Sequence, residues 1–136
     1  MSLSADDYVA ITNLLGRYCI AYDRSDADAM ASIFAEDGIL ENPEIKVVGS
    51  AAFRKMATTG DRSLTRHISV PLVIEGDTDS ATAISYIVVV GGPYERKFGV
   101  AAYGTFEDKL ERINGEWRIK HRYIARPHHD DFDSLP

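Results

Sequence analysis

The hydrophobic pattern of this chain changes period once, near Leu64, and that single change constrains the fold more than any motif. Before it, apolar and aromatic residues fall at 8, 11, 14, 15, 18, 19 and 22, the spacing of a helix with one buried face. After it, apolar residues alternate with polar ones, the spacing of strands with one face toward a core. Helices come first and a long antiparallel meander follows. That order predicts an α+β fold with helices packed against one face of a curved sheet.

Local signals set the boundaries. Ser4 with Asp7 three residues on reads as a capping box, so the first helix starts at Ala5 and runs to Asp23. A break at Arg24-Ser25-Asp26 precedes a shorter helix over 26–34. A short strand is predicted at 37–41, Pro43 interrupts, and a third helix covers Gly49–Thr59. Strands are predicted at 65–75, 80–90, 98–112 and 116–126, with turns at 75–80 and 91–94. Asn114-Gly115 marks a two-residue hairpin needing positive φ. Carried along both strands without interruption, its register sets Leu110 opposite Ile119 and Phe106 opposite Tyr123. It also sets Glu111 opposite Arg118, Glu107 opposite Arg122, Lys109 opposite Lys120, and Asp108 opposite His121.

With 136 residues, one domain is expected, comprising residues 1–126 with a tail at 127–136. The charge is uneven. Residues 1–48 hold nine acids and three bases, and residues 49–136 hold twelve of each. The basic stretch Lys109–Arg126 is accounted for by cross-strand pairs, so no nucleic-acid surface is expected. The longest aliphatic run, Ile87–Val90, is too short to cross a bilayer, and no signal sequence is visible. With one cysteine, Cys19, no internal disulfide can form. A cytoplasmic location without membrane contact is the expectation.

Chemistry rests on few side chains. Asp23 ends the first helix in line with Thr12, Gly16 and Cys19, small residues that let another element approach. It is either a working acid or an exposed residue at a helix end. His67 shares a strand face with Ser69 and Pro71, while Ile68, Val70 and Leu72 form the opposite face, read as core. His67 therefore meets either solvent or a polar-lined pocket. The Asp108–His121 pair offers a second acid–base unit or a satisfied buried polar pair. Tyr8, Tyr18, Tyr22, Tyr86 and Tyr103 are core candidates from which a pocket would draw hydroxyls. In the tail, His128, His129, Asp130 and Asp131 could bind a metal only weakly, lacking a rigid frame; Phe132 could fold the tail over a pocket. No zinc-protease, Walker, dinucleotide or nucleophile-elbow motif is present.

Four segments together resemble one family. They are I-x-x-L-L-x-R-Y-x-x-A-Y-D at Ile11–Asp23, D-A-x-x-x-x-F-A-x-D-G at Asp28–Gly38, R-H-I-S at Arg66–Ser69, and G-x-F-x-D-x-L-x-R-x-x-G-x-W-x-I at Gly104–Ile119. Their order is similar to the SnoaL-like division of the nuclear-transport-factor-two-like superfamily. The resemblance implies a cone of three helices on a curved, mixed, mainly antiparallel sheet around an apolar pocket. It implies a cofactor-independent dehydratase, isomerase or cyclase, or else a non-catalytic binder or partner subunit, usually a homo-oligomer (dimer or trimer). In the dehydratase and dehydrochlorinase branch an Asp ends the first helix and a His opens the first long strand; Asp23 and His67 match these. Tyr18 matches the tyrosine five residues earlier in the bile-acid dehydratase type. The scytalone dehydratase type has a second His on the next strand, and residues 80–91 hold none. Asp23, His67 and Tyr18 are thus the candidate catalytic residues. Tyr22, Tyr86, Phe106, Asp108 and His121 are the candidate substrate-binding residues, for a small apolar cyclic substrate such as a polyketide, steroid or terpenoid. No cofactor and no metal are implied.

Overall fold

In a computed structural model, the described residues are 2–60, 64–91 and 99–125. The sequence-predicted turn at 91–94 lies mostly outside them, and the tail candidates His128, His129, Asp130, Asp131 and Phe132 lie wholly outside.

Helix α1 spans Ala5–Asp23 and begins with the full capping box: the Asp7 backbone N–H donates to Ser4 Oγ, and the Ser4 backbone N–H to the Asp7 carboxylate. That carboxylate reaches further. It accepts from Trp117 Nε1 at 3.1 Å and pairs with Arg112, so the first helical turn is fastened to the distant hairpin. Helix α2 (Ala27–Ile33) is capped by Asp26, whose side chain accepts from the Ala29 N–H. It runs straight into β1 (Phe34–Glu41), which starts three residues earlier than the sequence predicts. A short strand β2 (Lys46–Val48) follows, and then α3 (Ser50–Thr58). The long strands are β3 (Thr65–Gly76), β4 (Ser80–Gly91), β5 (Val100–Ile113) and β6 (Glu116–Ala125).

The sheet order is β2-β1-β6-β5-β4-β3. All neighbours are antiparallel except β1 and β6, which run parallel. This is an α+β fold, three helices on an open, mixed, six-stranded sheet. Pro71 sits on β3, an edge strand with a neighbour on one side only, where a missing N–H is tolerated. The core lies between helices and sheet, built from Ile11, Leu15, Met30, Phe53, Leu110 and Ile119 among others. Each such side chain contributes about 1.5–3 kcal/mol by leaving water. Phe34 and Phe53 stack at 3.8 Å between centroids, locking α3 onto the start of β1.

Two expectations need correction. Asn114 (φ 52°) and Gly115 (φ 81°) form the expected turn, and Leu110–Ile119 and Glu111–Arg118 pair as expected. A bulge then shifts the register by one, with Lys120 as the extra residue on β6. Beyond it Lys109 faces His121, Asp108 faces Arg122, Glu107 faces Tyr123 and Phe106 faces Ile124. Because side chains alternate, the one-residue slip sends His121 outward and Arg122 inward. The predicted Asp108–His121 and Glu107–Arg122 pairs do not form.

The second correction concerns the core face of β3. The helices cover the side carrying His67, Ser69 and Pro71, leaving Ile68 and Val70 about half exposed at 49% and 51%. With Val73, Ile84 and Tyr86 they form an apolar outer face on β3 and β4. Of the tyrosines read as core, Tyr18 is buried, while Tyr8, Tyr86 and Tyr103 are exposed.

Candidate active site

The last turn of α1 carries Tyr18, Tyr22 and Asp23, and it lies over the start of β3. A carboxylate at a helix C-terminus is opposed by the negative end of the helix dipole, and α1 has no basic residue in that turn. Asp23 finds its compensation across the gap in His67. Its oxygens accept the His67 backbone N–H at 3.0 and 3.1 Å, and Oδ1 lies 2.7 Å from the imidazole Nδ1. Both side chains are nearly closed off, His67 at 12% and Asp23 at 7% exposure. A carboxylate on Nδ1 fixes that nitrogen as the protonated one, which leaves Nε2 as the basic nitrogen. The close approach expected near small residues occurs at Cys19, which lies beside the Ser69 backbone. Gly16 is not its cause, since a Cβ there would meet nothing within 4 Å.

His67 lines a cavity of about 140 Å³ between helices and sheet. Its walls are Leu40, Ile45, Met56, Ile87, Val89, Ala102, Gly104, Phe106 and Ile124, with Tyr18, Tyr22 and Tyr103. The Tyr22 ring leans on the imidazole, centroids 4.5 Å apart at 52°. A wider cleft of about 630 Å³ on the far side of α1 also touches His67, but it opens to solvent and carries Arg17, Arg24 and Asp26. The smaller cavity is the more enclosed of the two, and no charged side chain borders it among the described residues, which makes it the better setting for proton transfer.

Burial pushes the Tyr18 hydroxyl well above the ordinary phenol range. Tyr18 therefore keeps its proton, and can donate a hydrogen bond, at every physiological pH. Burial likewise pushes the Cys19 thiol up to about 11, although the Arg122 cation works against it. A neutral thiol is a poor nucleophile.

Sequence reasoning missed Arg122. Its Nε and Nη2 donate to the two Asp108 oxygens at 2.7 and 2.8 Å, and neither side chain has any exposure. Burial opposes the guanidinium charge, but the Asp108 carboxylate outweighs it and holds Arg122 protonated. The cation lies 4.3 Å from the Tyr18 ring centroid and 4.0 Å from that of Phe106. Its Nη1, with Ser69 Oγ and Ser85 Oγ, is buried with no partner among the described residues. The only signal that could have found Arg122 was the bulge, and nothing around Lys120 announces one.

The structure thus brings Asp23, His67, Tyr18, Tyr22 and Phe106 together. It places Asp108 beneath them, tied to Arg122, rather than in the cavity wall. Tyr86 stands on the outer sheet face at 57% exposure. His121 also faces outward, its Nε2 2.6 Å from Glu41 Oε1. Among the described residues, no three His, Cys, Asp or Glu side chains gather as a metal ion would require.

Three helices on this mixed sheet, with a cavity between, define the class of cystatin-like α+β folds, to which solved structures similar to this chain belong. A protein of unknown function from Nostoc punctiforme PCC 73102 with a cystatin-like fold is 28% identical, with a TM-score of 0.83 over 100% of this chain and 98% of that one. A variant of Rv3472, a function-unknown protein from Mycobacterium tuberculosis, is also 28% identical, with a TM-score of 0.83 over 95% of this chain and 76% of that one. A scytalone dehydratase candidate from Novosphingobium aromaticivorans DSM 12444 shares the fold at 22% identity, with a TM-score of 0.76 over 89% and 84%. No curated protein matches the chain. The SnoaL-like domain profile matches residues 4–123, and the chain belongs to that family.

Proposed function

We propose that this protein is a cofactor-independent lyase or isomerase acting on a small apolar cyclic substrate. The observation that carries the reading is the 2.7 Å contact between Asp23 and His67 Nδ1, with the same imidazole lining an apolar cavity. His67 Nε2 takes a proton from a substrate carbon beside an activating group. The C–H electron pair passes into a new double bond or an enolate. Where a leaving group departs, the His67 imidazolium supplies the proton it carries away, and Tyr18, which burial keeps protonated, donates a hydrogen bond to it or to the developing enolate. Asp23 holds the productive tautomer and balances the imidazolium charge. Positioned proton transfer of this kind contributes about 10²–10⁴-fold.

The competing reading is a non-catalytic binder. Either as a small-molecule binder or as a partner subunit, such a domain predicts the two side chains too far apart to hydrogen-bond, or a cavity filled by side chains; the contact counts against the first and the open volume against the second. The test is turnover on an identified substrate. His67→Ala and Asp23→Asn are expected to lose about 10²-fold or more while melting as the parent does. Full activity in either would overturn the assignment.

A homo-oligomer also fits. Ile68, Val70, Val73, Ile84 and Tyr86 are exposed together on one sheet face, and contiguous apolar patches of this kind mark interaction surfaces. Light scattering is expected to give a dimer or trimer mass, and Ile84→Glu a monomer. A monomeric parent protein would contradict this.

A further inference from the structure

We propose that the cavity beside His67 admits an uncharged molecule of a single ring, its electron-rich substituent turned toward Tyr18 and Phe106, with Ala102 setting the size limit. The inference rests on the preceding section only in taking this cavity as the substrate site.

Volume decides the ring count. Pockets for drug-sized ligands usually span about 300–1,000 Å³, and an apolar cavity of about 150 Å³ holds a benzene. At about 140 Å³ this one falls in the second class. A steroid or a fused polyketide is too large for it, which narrows the substrate range that the family resemblance implies.

Lining chemistry decides the charge. Among the described residues, no Asp, Glu, Lys or Arg side chain borders the cavity. An ionised substrate would lose its hydration and find no counter-charge. The hydrogen-bonding side chains in the wall are His67 and three tyrosines, so a ligand polar all round would also be under-satisfied.

Arg122 gives the ligand a direction. Its cation is stacked behind the Tyr18 and Phe106 rings, at 4.3 and 4.0 Å from their centroids. Both rings face the cavity. Asp108 offsets part of this charge, but Arg122 has the larger effect at Tyr18, so this end of the cavity favours a carbonyl, hydroxyl or halogen substituent over an electron-poor one.

Register gives the limit. His67 pairs with Val89, and Val89 with Ala102, so the three stand side by side on adjacent strands. At about 4.8 Å per strand, His67 and Ala102 backbones are roughly 10 Å apart. Their side chains point to the same face, with Val89 between the other two and Ala102 at the exposed rim, so a longer side chain at 102 would narrow the mouth of the cavity.

The test is calorimetric titration of the full chain with cyclohexanone, 1-decalone and cyclohexanecarboxylate. Cyclohexanone is expected to bind, with the fused-ring and charged probes each at least tenfold weaker. Ala102→Leu is expected to weaken cyclohexanone at least tenfold. Ala102→Gly, which cannot overpack, is expected to narrow the gap to 1-decalone. Failure of cyclohexanone to bind, a gap under tenfold for either rival probe, or unchanged affinities in both variants would overturn the proposal. Binding is read without turnover, so a cavity that binds the ring but never turns over a substrate would sink the lyase reading alone.

Discussion

Arg122 and Asp108 form a two-point ion pair with no exposed surface, directly across the β5–β6 ladder from one another. Two charges in a low-dielectric core are costly to place there and costlier to separate. Asp108→Ala strands the guanidinium, whose Nη1 already lacks a partner. The expected loss is about 3–5 kcal/mol in denaturant titration. Replacing the pair together by Asp108→Leu and Arg122→Met should cost markedly less. A double variant that loses the sum of the Asp108→Leu and Arg122→Met single losses would show that the pair is not coupled.

Asp7 links the start of α1 to the hairpin through Ser4, Arg112 and Trp117. The Ser4 backbone N–H, then Arg112 and Trp117, hold its carboxyl far below the ordinary carboxylate range. A folded-state value depressed below the unfolded one stabilises fully above the unfolded pKa, near pH 4, and that stability is lost as pH falls from there. Asp7→Asn is expected to lower the denaturant midpoint at pH 7 and to flatten the decline below pH 4. A midpoint unchanged at both pH 7 and pH 3 would refute this.

Cys19 lies in the same buried seam as the dyad. With its thiol pushed up to about 11 by burial, the native protein should resist a disulfide exchange reagent at pH 8. The full single equivalent should react once denaturant is added. Fast native labelling would mean the seam between α1 and β3 opens.

The capping box, the Asn114-Gly115 turn and the period change made most elements legible, because each signal is local. Asp23 and His67 were legible as residues, and as an acid–base dyad only through the family resemblance, since nothing in either segment states that β3 begins against the end of α1. The bulge at Lys120 was illegible, and it reversed the roles of His121 and Arg122. The alternation in β3 showed two faces without saying which the helices cover. Two apolar faces on one strand look alike in sequence, and only tertiary packing distinguishes them. Strand β2, three residues long, was too short to leave a period.

The central claim is that His67, held by Asp23, removes a proton from carbon inside the cavity. The most direct measurement is proton NMR of hydrogen–deuterium exchange at the carbons beside the carbonyl of cyclohexanone in D2O. The parent protein is expected to accelerate exchange above buffer, with His67→Ala and Asp23→Asn reducing that acceleration by about 10²-fold or more. Exchange at the parent rate in both variants, or none above buffer when cyclohexanone is bound, would contradict the account.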